Sequence, residues 1–367
     1  MYMHSKFIGV CLLLFTICFN SVHAHSDQSL ESFKTMMGDW GWHQWRLSSK
    51  EALWNDAYVQ NCAQKPISQY LQSIEHLHHR PINSVPKTIH FIWIGPNPIP
   101  EASIDNYISW KKHHPTWEIF LWTDRADREL PVEGMKRRLI SDFDFGPCQA
   151  CLDESDNWSE KSDIIRFSIM YKEGGVYADH DAECVRPFDS LISHFDFVAG
   201  YEPLSPYKFS LNSPFVPNTG VFVSRAHHPI LNKILNRICS RWREVSERFP
   251  KTDRKSKILK VIWRTFDPFA YCVSNFIESD KYRNIILPSC YFHSAGSFTA
   301  PSLKMLTKQG LVYAIHRFDS SWHPKKKNFP HNTPHINEDA EPAHEWLRNP
   351  FPVTLIPLIR GHTTLPH

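Results

Sequence analysis

The chain has 367 residues, of which 42% are hydrophobic, and this composition excludes wholesale disorder because a sizeable apolar core can form. The formal net charge is only +3, from 41 basic and 38 acidic residues, so the charge balance does not demand nucleic acid or an anionic membrane as a partner. The length suits one large α/β domain with appendages or two modest domains.

The first residues have the pattern of a targeting segment. Lys6 precedes an apolar run over 7–19, and Val22-His23-Ala24 offers small residues where a signal peptidase cleaves. The run is short for a membrane-spanning helix, which needs about 20 apolar residues. We therefore predict a signal peptide over 1–24 and an exported or secreted chain. An uncleaved anchor of a lumenal type II membrane protein is the alternative, and any membrane association would come only through this segment.

Residues 25–83 place apolar side chains at mixed three- and four-residue spacing, which predicts a helical N-terminal extension. From residue 84 the pattern changes to alternating strands and helices. A strand over 88–94 ends at the breaker Gly95-Pro96-Asn97-Pro98, and a helix over 102–113, a strand over 117–122 and a polar helix over 127–140 follow. This alternation predicts an α/β fold with a mostly parallel, doubly wound sheet.

The second half continues the alternation after a polar loop over 141–158. A helix over 160–172 is stopped by Gly174-Gly175, and a short strand over 176–178 follows. Further strands are predicted at 195–201, 219–223, 285–287 and 311–315, and further helices near 229–248 and 268–278. Residues 326–367 are rich in proline and histidine, which predicts a C-terminal tail.

Seven cysteines lie outside the predicted signal peptide, so at least one is unpaired in a monomer. Cys148-Gln-Ala-Cys151 has metal-ligand spacing, but no second close pair follows it. The spacing therefore favours a local disulfide or two ordinary loop cysteines over a zinc site.

Asp179-His180-Asp181 directly follows the short strand over 176–178. Two carboxylates separated by one residue at a strand end can approach one hard cation, and oxygen ligands suit Mg²⁺ or Mn²⁺. In open α/β sheets, ligands bind beyond the carboxyl ends of the strands, where this pair falls. The same triplet also arises as two solvated loop acids, so its meaning depends on its setting.

The setting resembles that of the family 32 glycosyltransferases, whose sugar-binding region contains an Asp-x-Asp motif. Over 161–187 the shared features are the helix Ser162-Asp163-Ile164-Ile165-Arg166, the Gly-Gly turn, the aromatic Tyr177 and the paired acids. Residues 86–95 match the first strand of this family, and both runs are more distantly similar to the glucosylating domains of large clostridial toxins. The resemblance implies a GT-A type, Rossmann-like nucleotide-sugar-binding domain over 84–325.

It also implies roles for individual residues. Asp179 and Asp181 would hold the metal, and Arg166 would stabilise charge on the departing diphosphate. His316, at a predicted strand end, would be a third metal ligand or a diphosphate contact. Contacts with the nucleotide-sugar donor are implied for Trp93, which would stack on the base, and for Asp163, Arg166, Asp124, Tyr177, Ser321 and Trp322.

The acceptor side is less well marked. Asn218-Thr219-Gly220 resembles the element with which relatives position the sugar or acceptor, whereas Asp267-Pro268 stands where relatives often carry Gly-Pro. Glu202 and Asp267 are acids that would lie near the acceptor, and neither has a motif that identifies a base.

The sequence thus predicts a glycosyltransferase that moves a hexose from a UDP- or GDP-sugar to a hydroxyl of a glycan, lipid or protein. The reaction would depend on Mn²⁺ or Mg²⁺, and the relatives imply retention. A glycoside hydrolase, which also uses paired carboxylates, and a non-catalytic carbohydrate-binding protein on a transferase fold remain as alternatives. Nucleic acid is not expected as a partner.

Overall fold

The computed structural model describes residues 31–39, 50–204 and 211–318. The predicted signal peptide over 1–24 and the predicted tail over 326–367 lie outside these residues, as do Ser321 and Trp322. Among the residues that are described, no helix is both long enough and apolar enough to cross a membrane.

Strands and helices alternate along most of the described chain. The strands are β1 (Thr88–Ile92), β2 (Glu118–Thr123), β3 (Lys136–Leu139), β4 (Gly175–Ala178), β5 (Ala182–Cys184), β6 (Phe197–Tyr201), β7 (Pro217–Ser224), β8 (Asn284–Leu287) and β9 (Ala314–His316). The helices are α1 (31–36), α2 (Lys50–Asn55), α3 (Ala57–Ile74), α4 (Ile104–His113), α5 (Gln149–Glu154), α6 (Trp158–Lys172), α7 (Asp189–His194), α8 (Pro229–Arg248), α9 (Arg254–Val261), α10 (Asp267–Phe276) and α11 (Ala300–Lys308).

Within the described residues, seven strands form the central sheet, in the order β3-β2-β1-β4-β7-β6-β8. Neighbouring strands are parallel except at β7, which runs antiparallel to β4 and to β6. The carboxyl ends of β1, β4 and β6 and the amino end of β7 therefore share one edge of the sheet. A separate antiparallel pair, β5 and β9, lies outside the sheet. The predicted α/β class with a mostly parallel sheet is confirmed.

Local sequence explains the strand–helix unit that carries the paired acids. Helix α6 begins after Asn157, whose side chain accepts hydrogen bonds from the next turn, as expected of an N-cap. It ends at Gly174, which has φ +70°, and Gly175 follows with φ +108°. Both angles are readily adopted only by glycine, and the turn directs the chain at once into the buried strand β4.

The helix predicted over 127–140 is wrong. Its last residues form β3, an edge strand parallel to β2, and turns precede it. Pro131 and Gly134, which has φ +81°, interrupt a helix at this point. The charged side chains of β3 suit an edge strand, since charge discourages pairing with another chain. The polar loop predicted over 141–158 contains the short helix α5.

The N-terminal helices pack into the core of the sheet domain. Phe33, Val59 and Tyr70 are buried in the same apolar cluster as the strands. The hydroxyl groups of Tyr70 and Tyr291 lie 3.0 Å apart, which joins α3 to the segment after β8. The described part of the predicted helical extension is thus helical, while the predicted domain boundary at residue 84 stays a prediction.

Candidate functional site

The two acids of the Asp-x-Asp triplet leave β4 at the shared edge of the sheet. The backbone amide of Asp179 donates to the carbonyl of Gly220 on β7 at 2.7 Å, which fixes the start of the loop. Asp179 is partly exposed, and Asp181 is 4% exposed. Both carboxylates face the imidazole of His316, at the end of β9.

His316 reaches this position because β9 pairs with β5, which directly follows the acids. In this register Ala182 lies opposite His316. The His316 Nε2 atom is 3.1 Å from Asp181 Oδ1 and 3.5 Å from Asp179 Oδ2. Burial lowers the pKa of His316, but the two carboxylates outweigh burial and raise this pKa to about 10. Without another cation, His316 is therefore protonated between the acids.

This group of residues fits a divalent cation. One ligand atom from each of Asp179, Asp181 and His316 lies within 4.8 Å of the others. Carboxylate oxygens suit Mg²⁺ and Mn²⁺, and an imidazole nitrogen is a common metal ligand. Asp163 adds a third carboxylate, and Arg166 is the fixed cation that pairs with this cluster. Three acids against one arginine leave two negative charges for a divalent ion to balance.

Helix α6 supplies the arginine that ties the acids together. Asp163 and Arg166 share one helical face, and a guanidinium nitrogen of Arg166 is 3.1 Å from Asp163 Oδ1 and 3.1 Å from Asp179 Oδ1. Another guanidinium nitrogen donates to the Thr219 carbonyl and hydroxyl oxygens, each at 3.0 Å. The Tyr177 hydroxyl donates to Asp179 at 2.6 Å, and Arg166 lies over its ring. The pKa of Asp179 is lowered, because Arg166 and His316 outweigh its burial.

The middle residue of the triplet points away from the cation site. The Nδ1 atom of His180 lies 2.8 Å from the hydroxyl of Ser103. Its ring meets the Trp93 ring edge to face, with centroids 4.8 Å apart. The indole nitrogen of Trp93 donates to the carbonyl of Asn97 at 2.9 Å, and the ring is part-buried. Trp93 and His180 thus pack against each other at the end of β1.

A cavity of about 310 Å³ opens beside the end of β1. Asp124 lines it and accepts a hydrogen bond from the Gly95 amide at 2.9 Å. Trp158, the first residue of α6, lines the opposite part and is 49% exposed. A Cβ atom at Gly95 would lie 3.0 Å from the Trp158 ring, so a side chain at residue 95 would crowd this ring. Trp93 is not among the lining residues, and Trp158 was not among the predicted site residues.

The Asn218-Thr219-Gly220 element supports the acid pair from β7. Gly220 accepts the amide of Asp179, and a Cβ atom at residue 220 would lie 2.8 Å from the His316 ring. The Asn218 side chain donates to Glu202 Oε1 at 2.6 Å. Burial raises the pKa of Glu202 to about 7, against the opposing hydrogen bond from Asn218. Glu202 follows β6 and so lies at the same sheet edge as the acids.

Asp267 is fully buried at the start of α10, and its carboxylate pairs with Arg241 of α8 at 3.3 Å. An acid at a helix start can face inward when a neighbouring helix supplies a cation. The place of Asp267 near the acceptor stays a prediction.

His293 is a buried residue of the site that sequence patterns missed. His293 is 0% exposed, and neither of its ring nitrogens has a hydrogen-bond partner within the described part of the chain. Its centroid lies 5.5 Å from that of His316, and burial lowers its pKa well below the usual value. A single histidine after a predicted strand gives no signal in a chain with 22 histidines.

Part of this chain matches a known protein family, and the matched part includes the paired acids. Residues 100–198 match the family described as "Glycosyltransferase sugar-binding region containing DXD motif". The matched segment contains α6, the glycine turn and the two acids. Residues 100–198 are therefore similar to the sugar-binding region of the DXD glycosyltransferases, as the predicted resemblance requires. The observed α/β architecture agrees with the predicted fold class, and the transferase activity and the GT-A type belong to the proposal below.

Curated relatives include a bacterial protein and a yeast protein. The chain is 31% identical over 143 residues to "Subversion of eukaryotic traffic protein A" of Legionella pneumophila, which covers 35% of this chain and 21% of that protein. It is 29% identical over 179 residues to "Inositol phosphoceramide mannosyltransferase 3" of Schizosaccharomyces pombe, which covers 45% of this chain and 47% of that protein. The chain thus spans about half, or less, of the length of these relatives.

Among solved structures, the chain is similar to "PaToxG Glycosyltransferase" at 19% identity and a TM-score of 0.41. This match covers 69% of the chain and 85% of that structure. A TM-score below 0.5 is too low to support an inference about this chain.

Proposed function

We propose that this protein transfers a hexose from a nucleotide sugar to an acceptor hydroxyl, with Asp179, Asp181 and His316 as ligands of a divalent cation. The observation that carries the proposal is the convergence of these three ligand atoms within 4.8 Å on a chain with a DXD sugar-binding region. Mn²⁺ or Mg²⁺ fits the two carboxylates, and either would neutralise the diphosphate of the donor as a Lewis acid.

The protein's own residues would prepare the site before the donor binds. Arg166 is 6% exposed and holds Asp163 and Asp179 in place, so we assign it mainly a positioning role. Its positive charge also favours negative charge on the departing diphosphate, and a preorganised group does this without reorganisation in the transition state. The Tyr177 hydroxyl donates to Asp179 Oδ1, the oxygen that Arg166 also contacts, and we infer that Tyr177 acts by positioning this acid.

The cavity beside β1 is our candidate for the nucleoside part of the donor. Asp124 and Trp158 line it, and an exposed aromatic ring and a carboxylate suit a base and a ribose. Trp158 is the ring that this cavity offers to the base, and the stacking role of Trp93, at the end of β1 outside the lining, stays what the resemblance implies. Ser321 and Trp322 stay candidates for the diphosphate. UDP- and GDP-sugars are both retained as donors.

Acceptor and stereochemistry rest on the family resemblance, which implies retention and a hydroxyl of a glycan, lipid or protein. Glu202 is the acid at this sheet edge that we associate with the acceptor side, since Asp267 is buried beneath α8. Export through the predicted signal peptide stays part of the proposal, with membrane association only through that segment.

The spacing of the acids argues against a glycoside hydrolase. Such enzymes place two carboxyl groups about 5–5.5 Å apart, or about 6.5–9.5 Å apart, on either side of the glycosidic bond. Here both acids approach one imidazole nitrogen, at 3.1 and 3.5 Å, which suits a shared cation. The complete set of Asp163, Arg166 and the paired acids also argues against a non-catalytic protein.

A donor screen tests the proposal. The wild-type protein with Mn²⁺ should release nucleoside diphosphate from at least one common UDP- or GDP-sugar, and EDTA should stop the release. Asp181→Asn should lower the rate by about 100-fold or more, because one charged ligand is lost. Mn²⁺ binding, measured by calorimetry, should weaken in the same variant.

Asp127→Asn is the matched control, because Asp127 is an exposed acid that pairs with Arg125 and lies outside the site. It should keep wild-type activity and Mn²⁺ binding. Full activity of Asp181→Asn would disprove the assignment of the metal ligands. Binding of no UDP- or GDP-sugar in the presence of Mn²⁺ would favour the non-catalytic alternative.

A further inference from the structure

Three cysteines converge between α5 and α8, away from the paired acids. Cys148 precedes α5, Cys151 lies within it, and Cys239 belongs to α8. Cys148 and Cys151 are 3% and 5% exposed, whereas Cys239 is part-buried. The sequence spacing points only to Cys148 and Cys151 as a close pair. The fold brings Cys239 next to Cys148, although it lies 91 residues further along the chain.

The sulfur atoms are close enough to react with each other. Cys148 Sγ and Cys239 Sγ lie 3.0 Å apart, whereas non-bonded heavy atoms pack best at roughly 3.5 Å or more. Cys151 follows Cys148 by three residues, within α5, and interaction with Cys239 raises the pKa of its thiol. Each of the seven cysteines in the described part of the chain has a free thiol. Cys239 is therefore shared by two possible partners.

Cys239 is also the natural nucleophile of the three. Hydrogen bonds from Cys148 and Cys151 lower the pKa of Cys239, and the same hydrogen bonds together with burial raise the pKa of both donors. The thiolate is the form that attacks a disulfide. Since Cys239 is also the most exposed of the three, an external disulfide would meet it first.

We propose that Cys239 and Cys148 form an exchangeable disulfide, and that Cys151 is the thiol that takes the place of Cys148 as partner. The oxidant is a low-molecular-weight disulfide of the glutathione type. The Cys239 thiolate attacks one sulfur of the oxidant, a mixed disulfide forms, and one thiolate leaves. Cys148 then loses its proton, attacks the Cys239 sulfur and expels the second thiolate. Two protein thiols are oxidised, and one disulfide is reduced to two thiols.

The bond would restrain one wall of the cavity beside β1. Phe145, Gln149 and Leu152 line this cavity and flank Cys148 and Cys151 in sequence. A bond to α8 would close a loop of 91 residues and tie this wall to a long helix. Any effect on nucleotide binding rests on the proposed function, whereas formation of the bond does not.

Peptide mapping under defined redox conditions tests the proposal. The full chain is equilibrated with reduced or oxidised glutathione, free thiols are alkylated, and linked peptides are identified by mass spectrometry. In the oxidised sample we expect Cys148 linked to Cys239 and Cys151 alkylated. The midpoint of thermal unfolding should rise by about 5 °C on oxidation, as expected when a long loop is closed. In Cys148→Ser, the linked pair should become Cys151 and Cys239.

Two variants act as controls. Cys239→Ser should abolish both linkages and the rise in unfolding midpoint. Cys62→Ser removes another part-buried cysteine, on α3, and should change neither. The proposal is overturned if Cys239 is fully alkylated in the oxidised sample, if Cys148 and Cys151 form the main linked pair, or if the three thiols bind zinc stoichiometrically. None of these readouts depends on sugar transfer.

Discussion

Arg166 is the residue on which the charge balance of the site depends. Its guanidinium contacts Asp163 and Asp179 at 3.1 Å, and the side chains of Asp163 and Arg166 are 9% and 7% exposed. Burial raises the pKa of Asp163, although Arg166 opposes this effect. Asp163 therefore tolerates burial because this cation lies between it and Asp179.

Removal of this cation should be costly. We expect Arg166→Ala to lower the free energy of unfolding by about 3–5 kcal/mol, because a buried carboxylate is left without its partner. Urea unfolding followed by circular dichroism measures this loss. Arg125→Ala removes an exposed arginine paired with Asp127 and should change stability little. Equal, small effects of both variants would contradict the inferred role of Arg166.

Glu202 offers a prediction on pH dependence. Its pKa is raised from 4.5 to about 7 in the folded protein, chiefly by burial. As pH rises through this window, the unfolded chain releases the Glu202 proton before the folded protein does, so this carboxyl lowers the free energy of unfolding. Its favourable contribution is complete below pH 4.5 and is lost as pH passes about 7.

Glu202→Gln removes this titration and keeps an acceptor for the Asn218 side chain. We expect the variant to lose less stability than the wild type between pH 4.5 and pH 8, in urea unfolding at both pH values. Glu183→Gln, at a partly exposed acid paired with Arg317, is the matched control and should keep the wild-type difference. Parallel pH curves for Glu202→Gln and the wild type would contradict the raised pKa.

At the scale of elements, the glycine turn between α6 and β4 sets the position of the acids. A Cβ atom at Gly175 would lie 2.3 Å from the hydroxyl oxygen and 2.8 Å from the carbonyl oxygen of Thr88 on β1. The same glycine has φ +108°, which side-chain-bearing residues rarely adopt. An alanine here must therefore push β4 away from β1 and displace Asp179.

We expect Gly175→Ala to destabilise the protein by about 3 kcal/mol or more, from overpacking and backbone strain together. Gly146→Ala is a matched control, because Gly146 also has a positive φ, of +54°, but a Cβ atom there meets nothing within 4 Å. It should cost about 1–2 kcal/mol, from the backbone alone. Chemical unfolding of both variants checks the difference, and equal losses would contradict the close approach at Thr88.

At the scale of the whole molecule, the N-terminal helices complete the core of the sheet domain. Phe33, Val59 and Tyr70 share its apolar cluster, and the Gly38 amide donates to the Ser289 hydroxyl at 2.7 Å. The sequence predicts a helical N-terminal extension over 25–83 ahead of the domain over 84–325. The packing of α3 against β8 indicates that this extension covers one side of the sheet domain.

We expect a chain that begins at residue 84 to lack a cooperative thermal transition, because it exposes the apolar surface that α3 covers. Calorimetry of this truncated chain and of the full chain measures the difference. Leu71→Ala, on α3 but 36% exposed, should leave the transition of the full chain nearly unchanged. Cooperative unfolding of the truncated chain would show that the boundary at 84 separates two units.

The sequence by itself determined the α/β class, most strands and helices after residue 88, and the local unit from Asp163 to Asp181. These features depend on near neighbours, through hydrophobic periodicity, glycine turns and residue spacing, and α8 has the bounds expected from its pattern. The family resemblance implied that His316 is a metal ligand, and the tertiary structure shows that it faces both acids. The tertiary structure alone decided that Cys239 lies against Cys148, that Asp267 is buried, and that 136–139 form an edge strand. Such contacts depend on strand order and on helix packing between segments far apart in the chain. Local sequence patterns therefore do not predict them.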